Sequence, residues 1–321
     1  MRVCLNLLAA IVIGFSAAAF SAQPWPTETV RVVVPFGAGS TTDIVPRVVF
    51  AQLAAQLRQP VVVENRPGAG GTVGTGFVAA AKPNGYTLLV SSTAYTIAPA
   101  LYSKLNYNPS RDFAAVISLG TSPNVLVVAP AKNFKTVGDL VATAKTKPEG
   151  LTFASVGVGS ATHMSAERFC FSAGVKVVHV PFKGGAEAMA ETMAGRVDFF
   201  FGPLGLVLPQ IRAGKLRALV VSGAERAAAL PDVPTTREAG FADAEYPIWF
   251  GLFAPAKTPP AILDTLHDHT LKALRTPQVR DKLSALGVDP MIMTRADFAA
   301  YIEKQFDVNA ALAKAIGLQP E

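Results

Sequence analysis

A first segment with binding chemistry combines glycines and hydroxyl side chains between a β-branched run and a helical pattern. Residues 36 to 43 read Phe-Gly-Ala-Gly-Ser-Thr-Thr-Asp. The first N–H groups of a helix have no internal partners, and the helix dipole adds partial positive charge there. Glycines let backbone amides approach a bound group, and the hydroxyls of residues 40 to 42 are further donors. This segment could therefore hold a carboxylate without a cationic side chain.

The alternative for this segment is an ordinary strand-to-helix turn with a Ser or Thr cap. It lacks the spacing of the nucleotide-binding patterns G-x-G-x-x-G and G-x-x-x-x-G-K-[ST]. Asp43 would repel a bound anion, so we interpret it as a cap or a structural hydrogen-bond acceptor.

A second segment of the same kind covers residues 155 to 163 and reads Ser-Val-Gly-Val-Gly-Ser-Ala-Thr-His. Ser160 and Thr162 are candidate donors. His163 lies near a predicted helix start, where the dipole disfavours added positive charge. A capping or supporting role is therefore favoured over a catalytic one for this histidine.

Two further glycine segments carry basic side chains. Arg66, in residues 65 to 71, could contact a ligand, but such an arginine more often stabilises its own loop. Lys183, in residues 180 to 185, is expected to be solvated, while the same segment could close over a ligand.

The sequence has no recognisable catalytic or metal-binding motif. It lacks G-x-S-x-G and H-E-x-x-H, and His267 and His269 would point in different directions on a helix. Once residues 1–22 are removed, Cys170 is the single cysteine, which excludes an intramolecular disulfide, and nothing in the sequence suggests a cysteine-based metal site. We therefore expect neither an enzyme, nor a metal, nor a cofactor.

The N-terminus has the three-part pattern of a secretory signal peptide in residues 1–22. Arg2 is followed by an apolar run from Leu5 to Phe20 and then by small residues. Cleavage after Ala19 and after Ala22 both fit, and Ala22 is favoured. A membrane anchor is the alternative, because the run approaches the shortest span of about 17 residues.

Composition and charge narrow the class of partner. The chain has 321 residues, is 50% hydrophobic and carries a formal charge of +6. Its basic residues are scattered and are not interleaved with aromatic side chains, so nucleic acid is not expected as a partner. A mildly positive surface favours encounter with small anions.

Strand and helix patterns alternate along the chain, which predicts an open parallel sheet covered on both faces. The alternation restarts near residue 125 and becomes rich in helices after residue 224. Predicted strands cover 29–35, 61–64, 86–91, 125–129, 152–155, 177–180, 197–201 and 216–222. Predicted helices cover 43–57, 136–145 with Thr136 as N-cap, 162–172, 186–195, 259–274, 277–286 and 295–316.

This arrangement predicts two lobes. Residues 23–123 and 225–321 would form lobe 1, and residues 124–224 would form lobe 2. The chain would cross between them near 118–124 and near 220–224, and these crossings would act as hinges. A single continuous sheet is the alternative.

The ordered motifs resemble the Bug, or tripartite tricarboxylate transporter, family of periplasmic substrate-binding proteins. They are PFGAGSTTDIVPR at 35–47, VVENRPGAGGTVG at 62–74, ALY at 100–102, SVGVGSATH at 155–163, VPFKGGAEAMAETMAGRVDFFF at 180–201, IRAGKLRAL at 211–219 and LPDVPTTREAGF at 230–241. The resemblance covers essentially the whole mature chain. It implies an α/β, two-lobed, type II-like Venus-flytrap fold in the periplasm, with a ligand cleft between the lobes.

The resemblance also implies that a carboxylate is held by backbone amides, small hydroxyls and bridging waters from the two glycine segments. The expected ligand-binding residues are Phe36, Gly37, Ala38, Gly39, Ser40, Thr42, Asp43, Ser92, Thr93, Tyr95, Ser155, Gly159, Ser160, Thr162, His163, Phe182 and Gly202.

Departures from the family pattern bear on the ligand. Many members carry an acidic residue where this chain has Gly202, and its absence argues against an amino acid. Tyr95, Phe36, Phe182, open space at Gly202 and the approach of Trp249 to the cleft favour an aromatic or aliphatic carboxylate.

We expect a monomer, and the resemblance implies that it serves the membrane subunits of a transporter. A ligand-dependent adaptor for the extracytoplasmic domain of a sensor is an alternative. A hydrolase or lyase on a two-lobed scaffold is a second alternative.

Overall fold

The first sheet contains five strands made largely of β-branched and aromatic residues, which suit a pleated, buried surface. The computed structural model describes residues 25–318, so the predicted signal peptide lies outside the described residues. The strands are β1 (Val30–Val34), β2 (Val61–Asn65), β3 (Thr87–Ser92), β4 (Phe113–Ser122) and β10 (Ile248–Pro255), in the order β2-β1-β3-β10-β4. Strands β1, β2 and β3 are parallel, and β10 runs antiparallel to both β3 and β4.

The second sheet has the same topology as the first. Its strands are β5 (Asn124–Val128), β6 (Thr152–Ser155), β7 (Val178–Pro181), β8 (Phe199–Pro203) and β9 (Arg217–Val221), in the order β7-β6-β8-β5-β9. Here β6 takes the place of β1, β7 that of β2 and β8 that of β3. In each sheet the antiparallel strand is the one that has just arrived from the other sheet. The fold therefore contains a structural repeat.

Eleven α-helices of the described chain cover the sheets. They are α1 (Thr41–Leu57), α2 (Thr72–Ala79), α3 (Ala94–Leu101), α4 (Pro109–Asp112), α5 (Val137–Thr146), α6 (Ala161–Ala173), α7 (Gly185–Met193), α8 (Leu204–Arg212), α9 (Pro260–Arg275), α10 (Pro277–Ala285) and α11 (Arg295–Ala315). Thr136 caps α5 in a capping box with Asp139, which confirms the predicted N-cap. Within residues 25–318, no helix has the length and apolar character needed to cross a membrane.

The structure decides between the two predicted arrangements and corrects one feature of the predicted sheets. The alternative of one continuous sheet is excluded by the two separate sheets. The all-parallel arrangement holds for β1–β3 and β6–β8 but not for β5 and β10, because a strand that crosses from the other lobe enters its sheet from the opposite end.

The crossings between the sheets lie at residues 122–124 and 245–247. The first falls within the predicted hinge range, since β4 ends at Ser122 and β5 begins at Asn124. After β9, however, the chain stays on the second sheet: Ala227, Leu230 and Ala244 are buried in its apolar clusters. Residues 227–244 thus pack on the second sheet rather than with lobe 1, although the exact lobe limits remain a prediction.

The lobes also contact each other through a small apolar cluster. Ile97 and Leu101 of α3, Leu312 of α11 and Tyr246 at the second crossing pack with Met164 of α6. Because α6 begins directly after the second glycine segment, this contact fixes where that segment lies relative to lobe 1.

Candidate ligand-binding site

The first glycine loop, residues 36–43, connects the carboxyl end of β1 to α1, where open α/β sheets bind ligands. Gly39 has a left-handed backbone with φ 81°, and Ser40 is the extended N-cap of α1. The backbone N–H of Gly39 donates to Asp43 Oδ2 at 2.9 Å. Asp43 Oδ1 accepts from Arg47 Nε at 2.8 Å and from Asn65 Nδ2 at 2.9 Å. The Asp43 carboxylate thus ties its own loop to Arg47 of α1 and Asn65 of β2.

The charge of Asp43 is supported by these bonds. Burial by itself would raise the pKa of Asp43, but the hydrogen bonds from Gly39, Asn65 and Arg47 outweigh burial and lower it below its ordinary value. A fixed ion pair therefore holds the shape of the first loop.

Several donors of the first loop remain without a partner among residues 25–318. The buried Ser40 Oγ has no hydrogen bond and does not cap α1 with its side chain. Asp43 N–H and Ile44 N–H both donate to the Ser40 carbonyl, whereas Thr41 and Thr42 are at the helix start, where N–H groups lack intrahelical acceptors. The loop thus has one hydroxyl and two amides without a partner in the part of the chain that the structure describes.

The second glycine loop, residues 155–163, connects β6 to α6 in the same way. Gly159 has φ 71°, and Ser160 is the extended N-cap. The N–H of Gly159 donates to His163 Nδ1 at 3.3 Å. Ser160 Oγ accepts from His163 N–H at 3.2 Å and donates to the Gly157 carbonyl at 2.7 Å. The Ser160 hydroxyl is therefore used within the loop, unlike that of Ser40.

The donors that remain in this loop are backbone groups. Thr162 Oγ1 accepts from Val156 N–H at 3.0 Å. The amides of Ala161 and Thr162 occupy the same positions at the start of α6 as those of Thr41 and Thr42 on α1. Both loops can thus offer two helix-start amides to a negatively charged group.

A histidine outside the predicted set supports the second loop. His179 Nε2 lies 2.6 Å from Ser155 Oγ, and its ring centroid is 4.1 Å from that of His163. Burial lowers the pKa of His179 to about 3, and the neighbouring His163 adds to the shift. Parallel pairing of Phe153 with His179 brings it there. The sequence around His179 contains no motif that signals this role.

The second loop lies directly against lobe 1. A Cβ atom at Gly159 would overlap Cδ1 of Leu101 in α3, and Ala161 belongs to the same buried cluster as Val34 and Val45 of β1 and α1. Ser92 and Thr93, buried at the end of β3, immediately precede α3. These contacts bring the second loop next to the elements that carry the first loop and the 92–93 segment.

Other predicted residues lie elsewhere. Tyr95 is buried in the core of lobe 1, where its hydroxyl donates to the Pro109 carbonyl at 2.6 Å and its ring stacks on Phe253. Trp249 is also fully buried in that core.

Gly202 does not provide open space. A Cβ there would lie 2.7 Å from Cε1 of Phe200 and would overlap Val207. The half-buried Phe182 packs against an apolar cluster of the second sheet, and its N–H donates to the Ser155 carbonyl at 2.9 Å. The half-buried Phe36 belongs to the first loop itself.

The two basic residues of the other glycine segments do not enter the site. Arg66 donates to Glu64 Oε1 at 2.5 Å and lies 3.8 Å above the ring of Phe77, so it stabilises its own loop. Lys183 is exposed to solvent. In the described chain, no group of three or more His, Cys, Asp or Glu side chains could hold a metal ion.

Known proteins share the sequence pattern and the fold of this chain. A model of the tripartite tricarboxylate transporter family receptor matches residues 45–318. Among solved structures, Rhodopseudomonas palustris Rpa4515 with adipate is 32% identical with a TM-score of 0.87, covering 92% of this chain and 100% of that one. MatC from the same organism, with bound malate, is 34% identical with a TM-score of 0.82, covering 90% and 99%. The periplasmic binding protein BugD is 30% identical with a TM-score of 0.83, covering 92% and 100%.

These matches span nearly all of each relative. The relatives are periplasmic binding proteins with the expected two-lobed fold. The relatives are solute-binding receptors and not enzymes. This chain belongs to the tripartite tricarboxylate transporter receptor family of periplasmic solute-binding proteins.

Proposed function

We propose that this receptor captures a small aliphatic acid with two carboxylates in the cleft between its lobes. The observation that carries the proposal is the pair of glycine loops with the same backbone geometry, each at the start of a long helix. Each loop can receive one negatively charged group through backbone amides, and the dipoles of α1 and α6 favour that charge. The adipate and malate of two relatives are acids of this kind.

The polar groups of the loops argue against an amino acid. An ammonium group buried in the cleft would need an anionic partner, because an unpaired buried charge is costly. Asp43 is the carboxylate of the two loops, and it is already bonded to Gly39, Arg47 and Asn65. An acid without an ammonium group avoids this requirement.

An aromatic acid, the other class of ligand that the sequence favours, has less support. Tyr95 and Trp249 are committed to the core, and Gly202 leaves no room for a ring. Phe36 remains as the aromatic side chain of the first loop. We therefore favour an aliphatic over an aromatic acid.

Calorimetric titration of the mature receptor tests the proposal. The panel contains adipate, malate, benzoate and glutamate, each at the same pH and ionic strength. We expect heat of binding with one or both aliphatic diacids and a weaker response or none with benzoate and glutamate. Tight binding of glutamate with no response to any of the other acids would overturn the assignment.

We also propose that the loaded receptor delivers its ligand to the membrane subunits of a tripartite tricarboxylate-type transporter, which the family membership supports. A sensor domain would use the same binding chemistry. Capture of membrane partners on immobilised receptor, with and without diacid, distinguishes the two. A receptor that acts alone should elute as a monomer in size-exclusion chromatography.

A further inference from the structure

The two glycine loops have the same backbone shape. Gly39 and Gly159 have φ values of 81° and 71°, and the N-caps Ser40 and Ser160 have φ, ψ values of −68°, 156° and −69°, 157°. In both loops the glycine N–H donates to the side chain four residues later. That side chain is Asp43 in the first loop and His163 in the second.

Each of these side chains has a charged partner four residues later on the same helix. Arg47, four residues after Asp43, donates to its carboxylate at 2.8 Å. Glu167, four residues after His163, places Oε1 3.6 Å from His163 Nε2. One loop is thus supported by an anion with a cationic partner, and the other by an imidazole with an anionic partner.

The hydrogen bond from Gly159 determines the tautomer of His163. A ring nitrogen that accepts an N–H has no proton of its own, so the proton of the neutral imidazole is on Nε2, which faces Glu167. The ring is buried between Gly159 on one side and His179 of β7 on the other. Phe153 of β6 also stacks with both imidazole rings.

We propose that His163, with its tautomer set by the Gly159 N–H and with Glu167 beside its other nitrogen, is a positioning residue that shapes the second loop for the ligand. This proposal rests on the proposed function, because the loop that His163 shapes would receive the diacid. Because the acceptor is uncharged, the free amides of Ala161 and Thr162 have no carboxylate behind them. The second loop therefore has the backbone geometry of the first, but its glycine N–H donates to a neutral ring with an anionic partner instead of a carboxylate with a cationic partner.

Substitutions that separate the acceptor from the ring test this role. His163→Leu removes the acceptor and leaves a buried Gly159 N–H without a partner, so we expect diacid affinity to fall about tenfold. His163→Asn keeps an uncharged acceptor in reach and should stay within about threefold of the parent protein.

A charge exchange gives a second, independent test. His163→Asp puts a carboxylate beside Glu167, and we expect it to weaken binding at least as much as His163→Leu. Adding Glu167→Arg rebuilds the Asp–Arg arrangement of the first loop and should recover most of the lost affinity. Recovery of this kind would not follow from a general loss of stability.

Amide hydrogen exchange of residues 157–160 in the ligand-free protein reports on the loop without any ligand. We expect faster exchange in His163→Leu than in the parent and in His163→Asn. The role is overturned if His163→Leu matches the parent in affinity and exchange, or if His163→Asn is as impaired as His163→Leu. If the parent protein binds no diacid, the proposed function fails, while the exchange rates still decide whether His163 shapes the loop.

Discussion

Single residues differ between the two loops even where their backbones agree. Ser40 and Ser160 are both N-caps with extended backbones, yet the hydroxyl of Ser160 makes three bonds in its loop and that of Ser40 makes none within residues 25–318. A buried hydroxyl without a partner destabilises the empty protein, since it has lost its bonds to water. We therefore propose that the unused hydroxyl of Ser40 bonds to the ligand.

Alanine substitutions should separate these two serines. Ser160→Ala removes a bonded N-cap and should lower the free energy of unfolding by about 1 kcal/mol. Ser40→Ala removes an unpaired buried hydroxyl and no bond from the empty protein, so its unfolding free energy should stay the same or rise, while its diacid affinity falls. Urea unfolding and calorimetric titration of both variants measure the two effects. Equal losses of stability, or an unchanged affinity in Ser40→Ala, would contradict the difference.

His179 gives the second lobe a dependence on pH. Its pKa is about 3 in the folded protein against an ordinary value of 6.5, so between these values the unfolded chain binds more protons than the folded one. The free energy of unfolding should therefore decrease as the pH falls from 6.5 toward 3. His179→Gln should reduce the slope of unfolding free energy against pH in this range by up to the equivalent of one bound proton. The slope above pH 7 should not change. Urea unfolding over a pH series measures the slopes, and parallel curves for the two proteins would refute the assignment.

At the level of helices and strands, regular patterns were predictable and context-dependent ones were not. Helix α1 and strand β6 were recognised from their apolar spacing or β-branched composition, close to their observed bounds. Strand β10 was missed because Gly251 interrupts its apolar run and Ile248 is its single β-branched residue. Helix α3 was missed because it is short and contains Pro99, which tertiary contacts must offset.

The same distinction holds for the site. Glycines and hydroxyls between a strand and a helix indicated both loops, since that chemistry is local. The position of Tyr95 and the crowding at Gly202 depend on which chain segments pack opposite them, and sequence spacing does not contain that information. His179 was missed for the same reason, because strand pairing alone brings it to His163.

The glycine of the second loop is also a contact between lobes. Alanine at Gly39 or Gly159 would be strained by a positive φ, but only at Gly159 would the new Cβ overlap a side chain, that of Leu101 in the other lobe. Gly159→Ala should therefore hold the lobes apart and weaken diacid binding more than Gly39→Ala does.

Leu101→Ala provides the control for this clash. Combined with Gly159→Ala, it should restore part of the affinity, measured relative to Leu101→Ala alone. X-ray scattering should show a larger radius of gyration for Gly159→Ala than for the double variant in the presence of diacid. If the double variant binds no better than Gly159→Ala, backbone strain and not the lobe contact explains the loss.

Across the whole molecule, buried polar groups link the two lobes. At the crossings, Asn124 N–H donates to Ser222 Oγ at 2.9 Å, and Ser222 Oγ donates to the Tyr246 carbonyl at 3.1 Å. Ser165 of α6 donates to the same carbonyl at 3.2 Å. All four residues are buried. Both crossings and the helix that follows the second glycine loop are therefore joined at one point.

From that point the linkage continues into lobe 1. The Tyr246 hydroxyl donates to Asn309 Oδ1 of α11 at 2.5 Å, and Asn309 Nδ2 donates to Thr96 Oγ1 of α3 at 2.8 Å. Burial raises the pKa of Tyr246 far above its ordinary range, so the phenol stays a donor at any physiological pH. Helix α3 follows the 92–93 segment and touches Gly159, so the buried groups connect both sides of the cleft.

A double-mutant cycle tests whether Tyr246 and Asn309 act together. Tyr246→Phe leaves the buried Asn309 oxygen without its donor, and Asn309→Leu leaves the phenol without its acceptor, so each should lower the free energy of unfolding by about 1–3 kcal/mol. In the double variant neither residue is left with an unpaired group facing the other. Its loss of unfolding free energy should therefore be smaller than the sum of the two single losses. Because the linkage orients α3 and α6, each single variant should also weaken diacid binding. Additive losses in urea unfolding, with an unchanged diacid affinity, would show that the two residues are separate structural contacts and do not set the relative position of the lobes.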